Sequence, residues 1–199
     1  MLVFWKQKFV LLAVPKTGTT ALEQALLPHA SAAILDPPGQ KHISAPQYRN
    51  RLSKFFEQRG RRPMELVAVM REPVDWLGSW YRYRGRAQLS GKPNSTENVS
   101  FDEVVSAWLQ PKRPAFADIG SQAHFLTDEE GRCAVDHLFR YDRMADLVAF
   151  LEDRLEARFD LPRANVSPKG PVDLSQAMRA RLESEAAAEF SLWQSLAAA

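Results

Sequence analysis

The sequence predicts an α/β fold with a parallel sheet and helices on both of its sides, and three observations carry that expectation. Short apolar runs suited to strands recur at Lys8–Val14, Ala30–Leu35, Met64–Met70 and Ala134–Phe139. Stretches with helical periodicity separate them, the alternation that builds βαβ units. Lys8–Val14 and Met64–Met70 are apolar without a polar face, as strands covered on both sides must be. The chain has 199 residues, 45% hydrophobic and 25% charged, enough for a single domain over residues 1–199 with a core that needs no covalent staple.

In chain order, Lys8–Val14 is the first strand and Thr20–Leu27 a helix ended before Pro28. Ala30–Leu35 is a weaker strand closed by Asp36-Pro37-Pro38-Gly39. Ser44 with Gln47 forms a capping-box pattern opening a helix whose Tyr48, Leu52, Phe55 and Phe56 share one apolar face. Met64–Met70 is the third strand, and Pro73 suits the first turn of a helix through Trp76, Trp80 and Tyr83. Residues 84–99 concentrate Gly, Pro, Asn and Ser and read as a mobile loop. A second capping box, Ser100 with Glu103, opens a short helix through Trp108, before an irregular stretch from Gln110 to Gly120. Ala134–Phe139 is the fourth strand. Asp142 is expected to cap a helix with Met144, Leu147, Leu151 and Leu155 on one face, and a last helix runs from about Leu174 to Leu196.

The net charge of +2 implies no sequence-wide attraction to nucleic acid or an anionic membrane, so any anion preference must come from local placement of Lys and Arg. No nucleic-acid partner is expected. The one cysteine, Cys133, reads as a small buried residue at a strand start, and no His/Cys spacing suggests zinc. The apolar run at Phe9–Val14 is too short to span a bilayer and has no small-residue cleavage site, so a cytoplasmic chain without a transmembrane segment is expected. The Asn-x-Ser/Thr triplets at Asn94, Asn98 and Asn165 are then chance matches.

The chemistry concentrates at Pro15-Lys16-Thr17-Gly18-Thr19-Thr20. A strand delivers the chain, Gly18 lets the backbone turn without a Cβ, and the next amides sit at a helix N-terminus, where the dipole favours anions. Lys16 adds a mobile charge, and Thr17, Thr19 and Thr20 bring hydroxyls; a plain strand–turn–helix with a threonine cap is the bland alternative. The nucleoside-triphosphate loop G-x-x-x-x-G-K-[ST] is not matched, because here lysine precedes glycine. The third strand ends in Met70-Arg71, where a metal-binding carboxylate would stand, so metal-assisted triphosphate hydrolysis is disfavoured and no metal is expected. Arg71 shares the sheet edge of Lys16, and Ser79 follows two helical turns on. Together they suit a second phosphate, although an Arg at a strand end also serves as a structural ion pair.

Pro15-Lys16-Thr17-Gly18-Thr19-Thr20 resembles the 5′-phosphosulfate loop of sulfotransferases that use 3′-phosphoadenosine 5′-phosphosulfate (PAPS). Arg71-Glu72-Pro73 through Ser79-Trp80-Tyr81 is similar to their 3′-phosphate motif, and Lys-Thr-Gly-Thr-Thr-Ala-Leu resembles the carbohydrate (heparan-type) branch. Phe139-Arg140-Tyr141-Asp142 and Asn165-Val166-Ser167 are similar to that branch's closing region, so the likeness spans most of the chain.

The resemblance implies a three-layer P-loop-type fold and metal-free transfer of a sulfuryl group to a hydroxyl or amine, leaving 3′-phosphoadenosine 5′-phosphate (PAP). It implies that Pro15, Lys16, Thr17, Gly18, Thr19 and Thr20 hold the 5′ end, Arg71 and Ser79 the 3′-phosphate, and that Lys16 neutralises the leaving phosphate. His42 becomes the candidate general base, because members place a His or Glu between these strands; Glu23, Asp36 and His124 are alternatives. His29 and His137 are assigned structural or surface roles. The Arg-Lys-Gly loop of phenol- and steroid-type members is missing, with Lys169-Gly170 as a stand-in, and no adenine-stacking aromatic is identifiable, Trp76, Trp80 and Tyr83 reading as core. Residues 84–120 become an acceptor-side wall or lid, with Arg82, Arg84 and Arg86 available to an acidic acceptor. The acceptor is a carbohydrate, lipid or small metabolite, and nothing fixes the oligomeric state. A degenerate P-loop kinase, which would need magnesium and a carboxylate near Lys16, and a non-catalytic nucleotide-binding module are the competing expectations.

Overall fold

The computed structural model describes residues 1–162 and 172–196; Asn165-Val166-Ser167 and Lys169-Gly170 lie outside them. The protein is an α/β structure around a five-stranded mixed sheet of order β3-β1-β2-β4-β5. Its strands are β1 (Leu2–Phe4), β2 (Phe9–Leu11), β3 (Ala32–Ala33), β4 (Glu65–Met70) and β5 (His137–Arg140). The helices are α1 (Thr19–Leu26), α2 (Pro38–Lys41), α3 (Ala45–Gln47), α4 (Ser53–Phe56), α5 (Pro73–Arg84), α6 (Phe101–Trp108), α7 (Gln122–Leu126), α8 (Met144–Leu155), α9 (Gln176–Glu185) and α10 (Ala187–Ser195).

The expected parallel sheet exists only in part. Strands β2, β4 and β5 run parallel, in register at Phe9↔Glu65 and Val67↔His137. Strand β1 pairs antiparallel with both β2 and β3. The β1–β2 hairpin turns through Trp5-Lys6-Gln7-Lys8, which holds no Gly, Asn or Pro; Lys8 itself takes the left-handed conformation at φ 61°. A parallel neighbour for β1 would need a long crossover, and four residues allow only a hairpin.

Strand side chains alternate between two cores. Val3, Val10, Leu12, Leu66, Ala68 and Met70 pack with Ile43, Tyr48, Phe125, Leu126 and Trp193 on one face. Leu2, Phe4, Phe9, Leu11, Val67 and Val69 pack with Leu22 and Leu26 of α1 and Leu147, Leu151 and Leu155 of α8 on the other. Each of these fully buried leucines contributes roughly 1.5–3 kcal/mol. A third cluster joins α5, α6 and α9 around Trp76, Leu77, Val105 and Leu182.

Both capping boxes form, with Ser44 accepting from the Gln47 amide and Ser100 from the Glu103 amide. The first opens only a three-residue helix, because a π-helical turn at Tyr48–Leu52 follows. That wider turn keeps Tyr48, Leu52 and Phe56 toward the core but rotates Phe55 out, leaving it 77% exposed instead of on the predicted apolar face. Asp142 does not cap α8; it sits in a 3₁₀ turn with its carboxylate on Arg140, and Arg143 occupies the N-cap. The single C-terminal helix is two, broken at Ala186. Cys133 is exposed, beside Thr127 in an isolated β-bridge, rather than buried. The polar stretch after α5 is tied back to it, with the Thr96 hydroxyl donating to Tyr81 O at 2.8 Å and Tyr81 OH to Val99 O at 3.0 Å.

Candidate functional site

The loop from Pro15 to Gly18 leaves the C-terminal end of β2, where the parallel strands of open α/β sheets deliver ligand-binding turns. Two left-handed residues shape it, Lys16 at φ 67° and Gly18 at φ 79°. Gly18 is also the N-cap of α1, whose first turn carries neither a side-chain cap nor an acidic residue. The amides of Thr19 and Thr20 therefore open a helix N-terminus with no competing carboxylate. A Cβ on Gly18 would sit 3.4 Å from Tyr141, so the turn packs directly on the segment after β5.

Thr17 behaves differently from its neighbours. It is 1% exposed, and its hydroxyl donates to Val14 O at 2.8 Å. That hydroxyl braces the loop from within, and only Thr19 and Thr20 keep partly exposed side chains at the helix mouth. The Trp76 indole adds a second brace, its Nε1–H donating to Pro15 O at 2.9 Å.

Arg71, at the exit of β4, reaches the same loop. Its Nη1 donates to Lys16 O at 3.1 Å, while Nε and Nη2 donate to the Asp75 carboxylate at 2.5 and 2.9 Å. The guanidinium lies over the Tyr141 ring, 4.5 Å from its centroid. Gln122 of α7 fixes the Arg71 backbone, accepting from its N–H at 2.9 Å and donating to its carbonyl at 2.8 Å. Arg71 is thus both the structural ion pair and the loop neighbour, with two N–H donors still unspent by these bonds. Ser79 lies one helical turn beyond Asp75 and is 1% exposed; Arg82 approaches Asp75 at 3.6 Å.

The Lys16 ammonium stands over α5, 4.0 Å from the Tyr83 ring centroid and 5.3 Å from that of Trp80. Partial burial and the nearby charges of Arg86, Arg71 and Arg82 lower its pKa to about 8. Arg86, Arg71 and Arg82 stand near Lys16, and although Asp75 offsets the latter two, no carboxylate pairs with Lys16 itself among the described residues.

His42, between α2 and α3, places Nδ1 2.6 Å from Ala13 O. A carbonyl only accepts, so Nδ1 carries the proton and Nε2 keeps its lone pair. Burial, the leading influence, lowers the His42 pKa and keeps the ring neutral near pH 7. Of the alternative bases, Glu23 is committed to Lys41 at 2.6 Å, and Asp36 and His124 are exposed on the surface. Arg84 is used structurally, its guanidinium donating to the carbonyls of Ala115 and Asp118, and Arg86 stacks on Tyr83 at 4.8 Å.

The chain gives no match to protein-family models, to curated proteins or to solved structures.

Four participants escape sequence reasoning. Trp76 is core as expected and Trp80 packs against that core, but Trp80 and the exposed Tyr83 also form the aromatic shelf under Lys16, and Trp76 holds Pro15. Their i, i+4, i+7 spacing was the available signal. Gln122 carries no signal, because its contact with Arg71 spans 51 residues.

Proposed function

We propose that this protein is a PAPS-dependent sulfotransferase with a three-layer P-loop-type fold. The observation that carries the proposal is the direct hydrogen bond from Arg71 to the carbonyl of Lys16, which joins the two cationic motifs at one uncapped helix mouth. Each motif alone has a bland explanation; a lysine loop and a strand-end arginine in contact suit a nucleotide with two separated phosphates.

The residues present fit that donor. The first turn of α1 carries no acidic residue that would repel a 5′-phosphosulfate, and Arg71, Arg82 and Arg86 stand near Lys16. When bound, PAPS supplies the sulfuryl group and the phosphate that departs. Lys16 would supply the positive charge that neutralises that phosphate. The amides from Gly18 to Thr20, with the hydroxyls of Thr19 and Thr20, hold the 5′ end. The two unspent donors of Arg71 would serve the 3′-phosphate, with the buried Ser79, one turn beyond Asp75, as its second expected contact. His42, with its lone pair on Nε2, would accept the proton of the acceptor's hydroxyl as that oxygen takes the sulfuryl group. Thr17 and Trp76 act through the backbone, holding the loop in shape.

The test compares calorimetric affinities for PAP and for adenosine 5′-phosphosulfate, which lacks the 3′-phosphate. Wild-type protein should prefer PAP, and Arg71→Ala should lose that preference while keeping its fold by circular dichroism. An undiminished preference in Arg71→Ala would remove Arg71 from the 3′-phosphate site.

A further inference from the structure

The opposite edge of the sheet carries a surface unrelated to the phosphate loop. The hairpin turn Trp5–Lys8 lies where the parallel strands start, about 20 Å from Pro15 at ~3.3 Å per residue. The segment after α4 packs against it. Trp5 Nε1 donates to Phe56 O at 3.0 Å, and Arg62 donates to Trp5 O and Lys6 O while its guanidinium covers the Trp5 ring at 4.1 Å. Gln58, Arg59 and Gly60 are successive left-handed residues, and the hook they form is fixed by Arg59 N–H to Lys54 O at 2.9 Å and Arg62 N–H to Glu57 O at 3.0 Å.

The outer side of this unit is cationic. Lys6, Lys8, Arg51, Lys54, Arg59 and Arg61 are all exposed, and none has an ion-pair partner among the described residues. The neighbouring carboxylates are already spent: Glu57 and Asp136 on Arg49, and Glu65 on Arg154 and His137. Phe55, next to Lys54 and one helical turn from Arg51 in the chain, is 77% exposed, the most exposed large apolar side chain described. Its ring rests edge-on against Phe56 at 5.1 Å, so it projects from a fixed base.

We propose that this face docks on an anionic lipid bilayer, with the six cations on the phosphate headgroups and Phe55 entering the interfacial layer. Charge complementarity selects an anionic partner, and the shape selects the bilayer. A single protruding apolar ring flanked by Lys and Arg is the pattern of an interfacial anchor. Single-stranded nucleic acid is instead held in a cationic groove with successive stacking platforms, whereas Phe55 is one ring on a projecting hook. Docking here turns the phosphate loop away from the membrane and leaves its mouth open to solvent.

Flotation of the 199-residue protein with vesicles of phosphatidylcholine, with and without phosphatidylglycerol, tests the proposal. Binding should require phosphatidylglycerol and weaken with salt. The double variant Arg59→Ser/Arg61→Ser should bind about thirtyfold more weakly, equivalent to ~1 kcal/mol for each cation. Phe55→Ser should also weaken binding but leave the salt dependence intact, and melting curves confirm that both variants fold. Equal binding to neutral vesicles, or undiminished binding by either folded variant, would overturn the proposal. So would tighter binding of single-stranded DNA with the same residue dependence, which would assign the face to nucleic acid.

Discussion

Raising the pH from 7 to 9 should weaken PAP binding about tenfold, because Lys16 loses its proton in that window. Its pKa in the free protein is lowered to about 8, first by burial and then by Arg86, Arg71 and Arg82. About nine tenths of the molecules then carry the charge at pH 7 and about one tenth at pH 9. A phosphate beside the ammonium holds it protonated, so above pH 8 binding must also take up a proton. The sign follows: affinity is fully present below about 8 and falls as the pH rises past it. The expected loss corresponds to ~1.4 kcal/mol. Calorimetry in buffers of different ionisation enthalpy reads both the affinity and the proton uptake. Lys16→Arg should bind with a flat profile across this range, because its guanidinium stays charged. A flat wild-type profile, or an equal slope in Lys16→Met, would refute this role for Lys16.

Three other perturbations address the supports of the site. Trp76→Phe removes the donor to Pro15 O and should cost roughly 0.5–1.5 kcal/mol of PAP affinity with little change in circular dichroism; unchanged affinity would mean that the indole does not shape the loop. Gly18→Ala forces a Cβ into φ 79° and should cost about 1–2 kcal/mol of stability, read as a lowered melting temperature. The new methyl would meet Tyr141 only at van der Waals distance, so an unaltered melting temperature would show that the left-handed turn is not retained. Glu189 is 4% exposed, with Oε1 accepting from Ser121 and the Ala123 amide and Oε2 without a partner among the described residues. Burial raises its pKa, so its ionised form costs stability at neutral pH and the cost fades as the pH falls through the raised value. Glu189→Gln should therefore melt higher than wild type at pH 7, with the gap closing in acid; equal melting temperatures at pH 7 would contradict that.

The parts of the fold legible in the sequence are those written in local chemistry. Both capping boxes, the proline start of α5 and the lysine–glycine loop need only neighbours three or four residues away, and the chain forms them. The contact between Lys16 and Arg71 was also foreseeable, because two parallel strands ending at one edge bring their exits together. What escaped notice depends on exceptions to local rules or on distant partners. The β1–β2 hairpin uses Lys8 where a turn residue would advertise itself, so the antiparallel half of the sheet was invisible. The π-helical turn at Tyr48–Leu52 has no sequence signature, and it moved Phe55 from core to surface. Asp142 had two possible duties, a cap for α8 or a partner for Arg140, and the ion pair won. Thr17 and Asp75 show the same limit at the site: which oxygen a hydroxyl or guanidinium chooses is settled by packing.

The most direct measurement is a calorimetric titration of the wild-type protein with PAP in the absence of magnesium, set beside ATP with magnesium. A sulfotransferase site built from Lys16, Gly18 and Arg71 predicts saturable PAP binding that needs no metal and exceeds any binding of ATP. Absence of PAP binding, with ATP bound only when magnesium is present, would contradict the proposed function.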